Sequence, residues 1–374
     1  MITSRPSSSD EGSADYSPRD FGHSPLLVFY EVTRACDLVC LHCRACAQVQ
    51  PDPSELSPVE SRRLIDQLTE FPKPPMLVLT GGDPLKRSDI YDIVEHAAGA
   101  GLDVSVTPSA TPLATEAAIR RLRDAGVTRL AISLDGADAA THDGIRGVRG
   151  SFDRVLEIMS FARSCKIPVQ VNTSVLPINV NQIDALAELL ARERIVLWSL
   201  FFIVPVGRAT EGERLSPQQY EDVFERLWRQ SQQQPFAIKT TEAMHYRRYV
   251  MQRRKEHAVD YSKMSVRYTR RTPLGINDGK GVMFVSHSGL IHPSGFMPIV
   301  CGAFPHNSVV RVYQSSPVFR RLRDANRLEG RCGVCEYRTI CGGSRARAYA
   351  LTGNPFAEEP DCVYIPQAMR QSEA

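Results

Sequence analysis

The sequence predicts an α/β chain: a partial (β/α)6 barrel of the TIM-like kind, followed by a smaller C-terminal domain. Three observations predict it. Six short β-branched apolar runs alternate with amphipathic stretches, the alternation stops near residue 235, and ten cysteines fall mostly into two groups, one at each end of the chain.

The apolar runs lie at residues 26–31, 76–80, 102–107, 128–134, 167–175 and 196–204, each of strand length. Between them are helix starts. Ser57-Pro58-Val59-Glu60 is a capping box with proline at the first helical position, and Leu64, Ile65 and Leu68 follow at helical spacing. Ser88, Thr115 and Ser151 are expected to cap later helices. Successive strand–helix units require parallel pairing through right-handed crossovers, and such folds bind ligands at the C-terminal strand ends. The first cysteine group falls just after the first strand.

Residues 1–24, rich in Ser, Asp, Gly and Pro, read as a disordered tail. Residues 25–235 form the barrel core. A basic, Tyr- and Arg-rich bridge at 236–285 includes Arg247, Arg248, Arg253, Arg254, Lys255, Lys263, Arg267, Arg270 and Arg271, and residues 286–374 carry the second cysteine group. With 43% apolar and 23% charged residues in 374, the chain folds rather than staying disordered. Lys+Arg 45 against Asp+Glu 42 leaves a charge of +3, too little for bulk attraction to nucleic acid. No apolar run approaches about 18 residues and no signal-peptide pattern opens the chain, so no membrane and a cytoplasmic location are expected.

Disulfides do not persist in a reducing compartment, so ten cysteines point to metal or redox chemistry. Cys36, Cys40 and Cys43 stand at CxxxCxxC spacing in one loop. Thiolates favour soft metals, and iron–sulfur cubes normally take four. If only these three bind, one iron stays open to a ligand from solution; if Cys46 joins, an inert electron-transfer cluster or a zinc site results. Cys332, Cys335, Cys341 and Cys362 supply four thiolates, which in isolation also fit a zinc ribbon. Cys165 and Cys301 stand apart and read as small buried side chains.

The CxxxCxxC loop resembles the radical S-adenosylmethionine (SAM) superfamily. The resemblance implies a three-cysteine 4Fe-4S cluster whose open iron is chelated by SAM, reductive cleavage to a 5′-deoxyadenosyl radical, and a flavodoxin- or ferredoxin-type reductant. Thr80-Gly81-Gly82-Asp83-Pro84 is similar to the family's turn for the SAM amino group, with Asp83 where the family has Glu. Ser133-Leu134-Asp135-Gly136 is similar to its SLDG turn. By that resemblance Ser133 contacts SAM, Asp135 faces the substrate as the catalytic residue, and Arg146, with Arg154 as a competitor, holds the SAM carboxylate. Thr107, Pro108, Ser109 and Asn172-Thr173 are expected to wall the same pocket.

The second group resembles the SPASM or twitch auxiliary domain, which implies one auxiliary 4Fe-4S cluster and hence two clusters in all. Ser294 and Ser344 stand where related enzymes place ligands of a further cluster. The segments 32–36, 79–85 and 341–353 are similar to alternative-haem-pathway decarboxylases and nitrite-reductase haem maturases, and more distantly to mycofactocin and PQQ peptide maturases. The implied reaction is hydrogen abstraction beside a carboxylate, on a tetrapyrrole propionate or a sugar acid, followed by loss of CO2. A sugar acid allows a redox-neutral course that needs fewer clusters. Modification of a ribosomally made peptide, and a non-catalytic electron carrier, are the alternatives. The basic bridge fits a carboxylate grip by arginine forks, an acidic peptide leader or a plain solvated face, with His245 or Tyr246 set against a flat ligand.

Overall fold

The computed structural model of the chain describes residues 16–256 and 275–370. The six expected strands form β1 (Leu27–Thr33), β2 (Met76–Gly81), β3 (Val104–Val106), β4 (Arg129–Ser133), β5 (Val169–Val175) and β6 (Leu197–Phe202). They pair in parallel in chain order. Crossover helices α1 (Pro58–Thr69), α2 (Ile90–Gly99), α3 (Glu116–Asp124), α4 (Ala139–Arg146), α5 (Ser151–Ser164) and α6 (Ile183–Arg192) connect them, and α7 (Pro217–Gln233) follows β6.

The sheet continues past residue 235. A seventh parallel strand, β7 (Ala237–Thr241), adds to β6, and on the far edge β8 (Val282–Val285) pairs in parallel with β1. Antiparallel β9 (Leu290–His292) and β10 (Gly302–Ala303) extend that edge, giving an open ten-stranded order β10-β9-β8-β1-β2-β3-β4-β5-β6-β7. Beyond lie α8 (Tyr246–Glu256), α9 (Val309–Ser315), α10 (Pro317–Arg323), α11 (Gly330–Val334), α12 (Arg345–Thr352) and α13 (Gln367–Arg370), with α8 leaving β7 ahead of β8. One apolar core runs from β1 through α9 and α10, including Val28, Trp198, Phe224, Val309 and Phe319, so the C-terminal part packs on the barrel rather than apart from it.

The caps divide. Ser57 and Glu60 form the reciprocal capping box, and Thr115 caps α3. Ser88 and Ser151 do not cap. Asp89 precedes α2 without a side-chain bond, and α5 is capped from a distance by Asp143, which accepts the Gly150 and Phe152 N–H groups at 2.7 and 2.8 Å. Ser151 Oγ is instead 3.2 Å from His142 Nε2.

The expected tail also needs correction where it is described. Tyr16 and Phe21 are buried, Tyr16 Oη donates to Lys73 O at 2.8 Å, and Tyr313 of α9 donates to Phe21 O at 3.0 Å. Two aromatics supply enough apolar surface to anchor an otherwise polar segment. Residues 1–15 lie outside the described residues. So do Lys263, Arg267, Arg270 and Arg271 of the basic bridge. Its described half is not an open cationic face: Arg248 pairs with Glu221, Arg253 with Glu225, and Arg247 donates to Ile340 O at 3.0 Å. His245 and Tyr246 are buried.

Candidate functional site

The cysteine loop leaves β1 and is stitched down on both sides. The Gly82 and Asp83 N–H groups donate to Thr33 O and Ala35 O at 2.8 and 2.7 Å. A Cβ on Gly81 would sit 2.3 Å from Thr33 O, and one on Gly82 2.4 Å from Ala35 O, so the glycines admit the close approach of the chain's own β1 end. From above, the Arg208 N–H donates to Cys43 O at 3.0 Å, and Gly207, at φ +68°, lies where a Cβ would be 2.4 Å from the Cys43 and Arg44 carbonyl oxygens.

Arg44 ties the loop to the sheet. It pairs with buried Glu31 of β1 at 2.7 Å and stacks over Phe284 of β8 at 4.7 Å, while His287 Nδ1 lies 2.8 Å from the other Glu31 oxygen. Burial pushes the Glu31 carboxyl up, but Arg44 and His287 outweigh it and hold the pKa at about 2.

Above this loop lies a cleft of about 1090 Å³ at the C-terminal strand ends. It gathers Cys36, Cys40 and Cys43 with Gly81, Gly82, Thr107, Ser109, Ser133 and Arg146, all expected there. Phe201, Ile203, Val204 and Val206 form an apolar wall with Phe296, whose ring centroid is 6.2 Å from that of Phe201. Among the described residues no carboxylate lines it. Polar groups face the sulfurs: Leu38 N–H donates to Cys36 Sγ at 3.4 Å, Ala47 N–H to Cys43 Sγ at 3.4 Å, and Arg146 Nη1 to Cys40 Sγ at 3.7 Å, with Ser109 Oγ 3.5 Å from Cys36 Sγ.

Five expected wall or site residues lie outside the lining, among them Thr173, which is fully buried, donates to Leu134 O at 2.6 Å and accepts from Trp198 Nε1 at 2.9 Å. Asp83 is fully buried and accepts from Thr111 Oγ1, Leu85 N and Ser109 N at 2.7, 3.1 and 3.3 Å, so it holds the turn together; burial raises its pKa. Pro84 begins the short turn behind it. Asn172 sits one repeat below Ser174 on the same face of β5 and accepts from Gln170 Nε2 at 2.7 Å, whereas Ser174 lines the cleft. Asp135 is 0% exposed beneath the floor, 2.6 Å from Arg146 Nη2 and 3.8 Å from His42 Nε2, and accepts from Ser174 N at 2.7 Å. Burial opposes its charge, but Arg146, His42 and His142 keep its pKa low. The geometry makes it a support for Arg146. Arg154 is paired with Glu157 on α5.

Sequence reading missed His42, Ser174, Phe201 and Phe296. His42 carries a readable signal between two cysteines, and Ser174 follows from strand alternation. Phe296 arrives from a segment more than 250 residues after the loop it faces, and no local pattern announces it.

The second group also converges. Cys332, Cys335, Cys341 and Cys362 line a cavity of about 430 Å³ together with His245, Arg248 and Glu359. Gly343 N–H donates to Cys341 Sγ at 3.5 Å and Glu359 N–H to Cys332 Sγ at 3.3 Å. Burial pushes the Cys341 thiol up strongly and the Cys362 thiol up to about 11. Arg347, fully buried, fixes the segment that carries Cys362 through Glu359 at 2.9 Å and Asp361 at 3.1 Å. Ser344 donates to Glu242, and Ser294 and the Ala346 N–H bond to Asp278, so both serines are spent on buried carboxyls. Cys46, Cys165 and Cys301 line neither space.

The donor chemistry fits iron–sulfur groups at both places: thiols alone, with N–H groups aimed at the sulfurs. Among the described residues no three His, Cys, Asp or Glu side chains close on the point a single ion would need. Nor is any described helix long and apolar enough to cross a membrane.

Comparison with known proteins agrees. A family model described as the Radical SAM superfamily matches residues 30–190. The AdoMet-dependent heme synthase of Methanosarcina barkeri is 37% identical over 92% of this chain and 98% of its own length. The PqqA peptide cyclase of Bradyrhizobium diazoefficiens is 25% identical over 93% and 90%. Among solved structures, Streptococcus suis SuiB shares the fold at TM-score 0.68 and 14% identity, over 91% of this chain and 78% of that one. The thiol-lined cleft on a partial barrel, the C-terminal extension with its second thiol group and the full-length likeness to a heme synthase lead to one conclusion: this chain is an enzyme of the radical SAM superfamily.

Proposed function

We propose that this enzyme decarboxylates a propionate-type side chain of a tetrapyrrole. The observation that carries the reading is the convergence in one cleft of three cysteines, the Gly81-Gly82 turn and an apolar aromatic wall, in a chain 37% identical along its length to an AdoMet-dependent heme synthase. Cys36, Cys40 and Cys43 would hold a 4Fe-4S cluster, and Cys332, Cys335, Cys341 and Cys362 a second. When bound, the first supplies reductive cleavage of SAM and so a hydrogen-abstracting 5′-deoxyadenosyl radical.

The chain's own residues do the rest. Thr107, Ser109 and Ser133 offer hydroxyls to the polar end of SAM beside the Gly81-Gly82 backbone. Phe201 and Phe296, with Ile203, Val204 and Val206, exclude water and provide a surface for a flat macrocycle. Arg146 presents positive charge to Cys40 while Asp135 fixes its orientation. Loss of a hydrogen atom from the carbon β to the carboxylate, then cleavage of the bond to that carboxylate, would yield CO2, an alkene and one electron, for which a cluster held by Cys332, Cys335, Cys341 and Cys362 would be the acceptor.

The test is 5′-deoxyadenosine release by the anaerobically reconstituted, reduced enzyme with and without iron coproporphyrin, following the porphyrin mass in the same sample. Stimulated release with loss of CO2 is expected. Release that porphyrin does not change would move the substrate to a sugar acid or a peptide.

A further inference from the structure

His245 lies just beyond β7 and its ring is held between Tyr220 and Phe224, with ring centroids 5.1 and 4.9 Å away. It is 1% exposed and forms part of the wall of the cavity that the four C-terminal cysteines line. Neither Nδ1 nor Nε2 has a hydrogen-bond partner in the protein. Every form of imidazole carries at least one N–H, and an unpaired buried donor costs its full desolvation.

The Glu359 carboxylate and the Tyr364 hydroxyl on the same cavity wall are already engaged. Glu359 accepts from Arg347 Nη1 at 2.9 Å and from Ser344 N at 2.6 Å, and Tyr364 is engaged with Glu336. The two flanking rings keep the imidazole from swinging elsewhere. The cavity that its ring helps to line is the one that Cys332, Cys335, Cys341 and Cys362 share.

We propose that His245 is a positioning residue for the second site: its ring N–H donates to a sulfur of the iron–sulfur cluster held by these four cysteines. The inference rests on the reading of those cysteines as cluster ligands. A donor at sulfur stabilises the reduced cluster, which carries more negative charge, and so raises its reduction potential. A raised potential suits a cluster that takes up the electron left when CO2 departs. At the first site, the charged group on a cysteine sulfur is Arg146, a permanent cation paired with Asp135.

The test uses the full chain carrying Cys40→Ala, so that the first site gives no signal, reconstituted anaerobically and titrated by EPR. His245→Phe keeps the aromatic packing and removes the donor. It is expected to retain about four irons per chain while its oxidised-to-reduced ratio at fixed potential rises about tenfold, a downward shift of about 59 mV for a one-electron couple. His245→Gln, which keeps an N–H, is expected to recover part of the shift. With 15N-labelled histidine, the reduced cluster in the chain that keeps His245 should show a weak nitrogen coupling in pulsed EPR that disappears in His245→Gln.

An unshifted potential in an iron-replete His245→Phe protein overturns the proposal, as does absence of the coupling. A strong coupling from directly bound nitrogen overturns it differently, by making His245 a ligand. If the parent Cys40→Ala chain takes up no iron at all, the reading of the four cysteines fails first, and the His245 proposal falls with it.

Discussion

The cleft after β1 and the cavity near the C-terminus both gather cysteines, but one offers about 1090 Å³ behind three thiols and the other about 430 Å³ behind four. In the first, the thiols occupy one rim and an apolar wall faces them across open space. In the second, four thiols share the space with His245 and Arg248, and the backbone N–H groups of Gly343 and Glu359 donate to two of the sulfurs. The difference teaches that thiol number and free volume must be read together. Three thiols on the larger space would leave an iron position for a co-ligand and room for a substrate, while four thiols around the smaller one would suit electron transfer or support.

The sharpest way to break this comparison is Cys40→Ala. It should abolish 5′-deoxyadenosine release and reduce iron from about eight to about four per chain, because the second site shares no ligand with the first. Release that persists under reducing conditions would remove the cleft's assigned role. Cys335→Ala is the converse: it should halve iron while leaving SAM cleavage measurable in the absence of product formation.

A smaller effect separates support from ligation. Asp135→Asn leaves Arg146 as an unpaired buried cation beside Cys40, whereas Arg146→Gln leaves a buried carboxylate there. Each should destabilise the fold by about 3–5 kcal/mol in denaturant titration. The potential of the first cluster should rise in the former and fall in the latter, and same-sign shifts would reject the paired arrangement.

Acid titration sharpens the anchoring of the first loop. The Glu31 pKa is depressed to about 2 from a usual 4.5, so its stabilisation is complete above about pH 4.5 and is lost as pH falls toward 2. The two values imply about 3 kcal/mol. Glu31→Gln should flatten that part of the stability curve, and an unchanged curve would show that Arg44 does not depend on it. The smallest effect belongs to Arg253, a half-exposed residue paired with Glu225. Arg253→Ala should cost at most about 1 kcal/mol and leave the KM for porphyrin unchanged; a large rise in KM would return the basic bridge to substrate binding.

What was legible follows from range. Six strands were readable because each is a short β-branched run whose neighbours in the sheet are also its neighbours in sequence. β7, with the sequence Ala237-Ile-Lys-Thr-Thr241, is too polar to stand out, and it is an edge strand with one side unpaired. β8 fell inside the stretch read as a basic bridge, because its pairing with β1 joins Val282 to Leu27 across most of the chain. Motif residues behaved likewise. Gly81, Gly82, Ser109 and Ser133 reached the cleft, while Asp83 and Asp135, beside them in sequence, turned into the protein to hold the turn and the arginine.

The sequence by itself determined the chemistry. Two cysteine groups, glycine turns and alternating strands and helices name the donor atoms and the strand ends where they sit, since local spacing dictates both. Tertiary structure decided which side chains face the ligand space. It placed Phe296 opposite Phe201, withdrew Asp135 and Asn172 from the cleft and set His245 against the second thiol group. Those outcomes depend on packing between segments far apart in the chain, and burial assigns a polar side chain to whichever partner its neighbours leave unfilled.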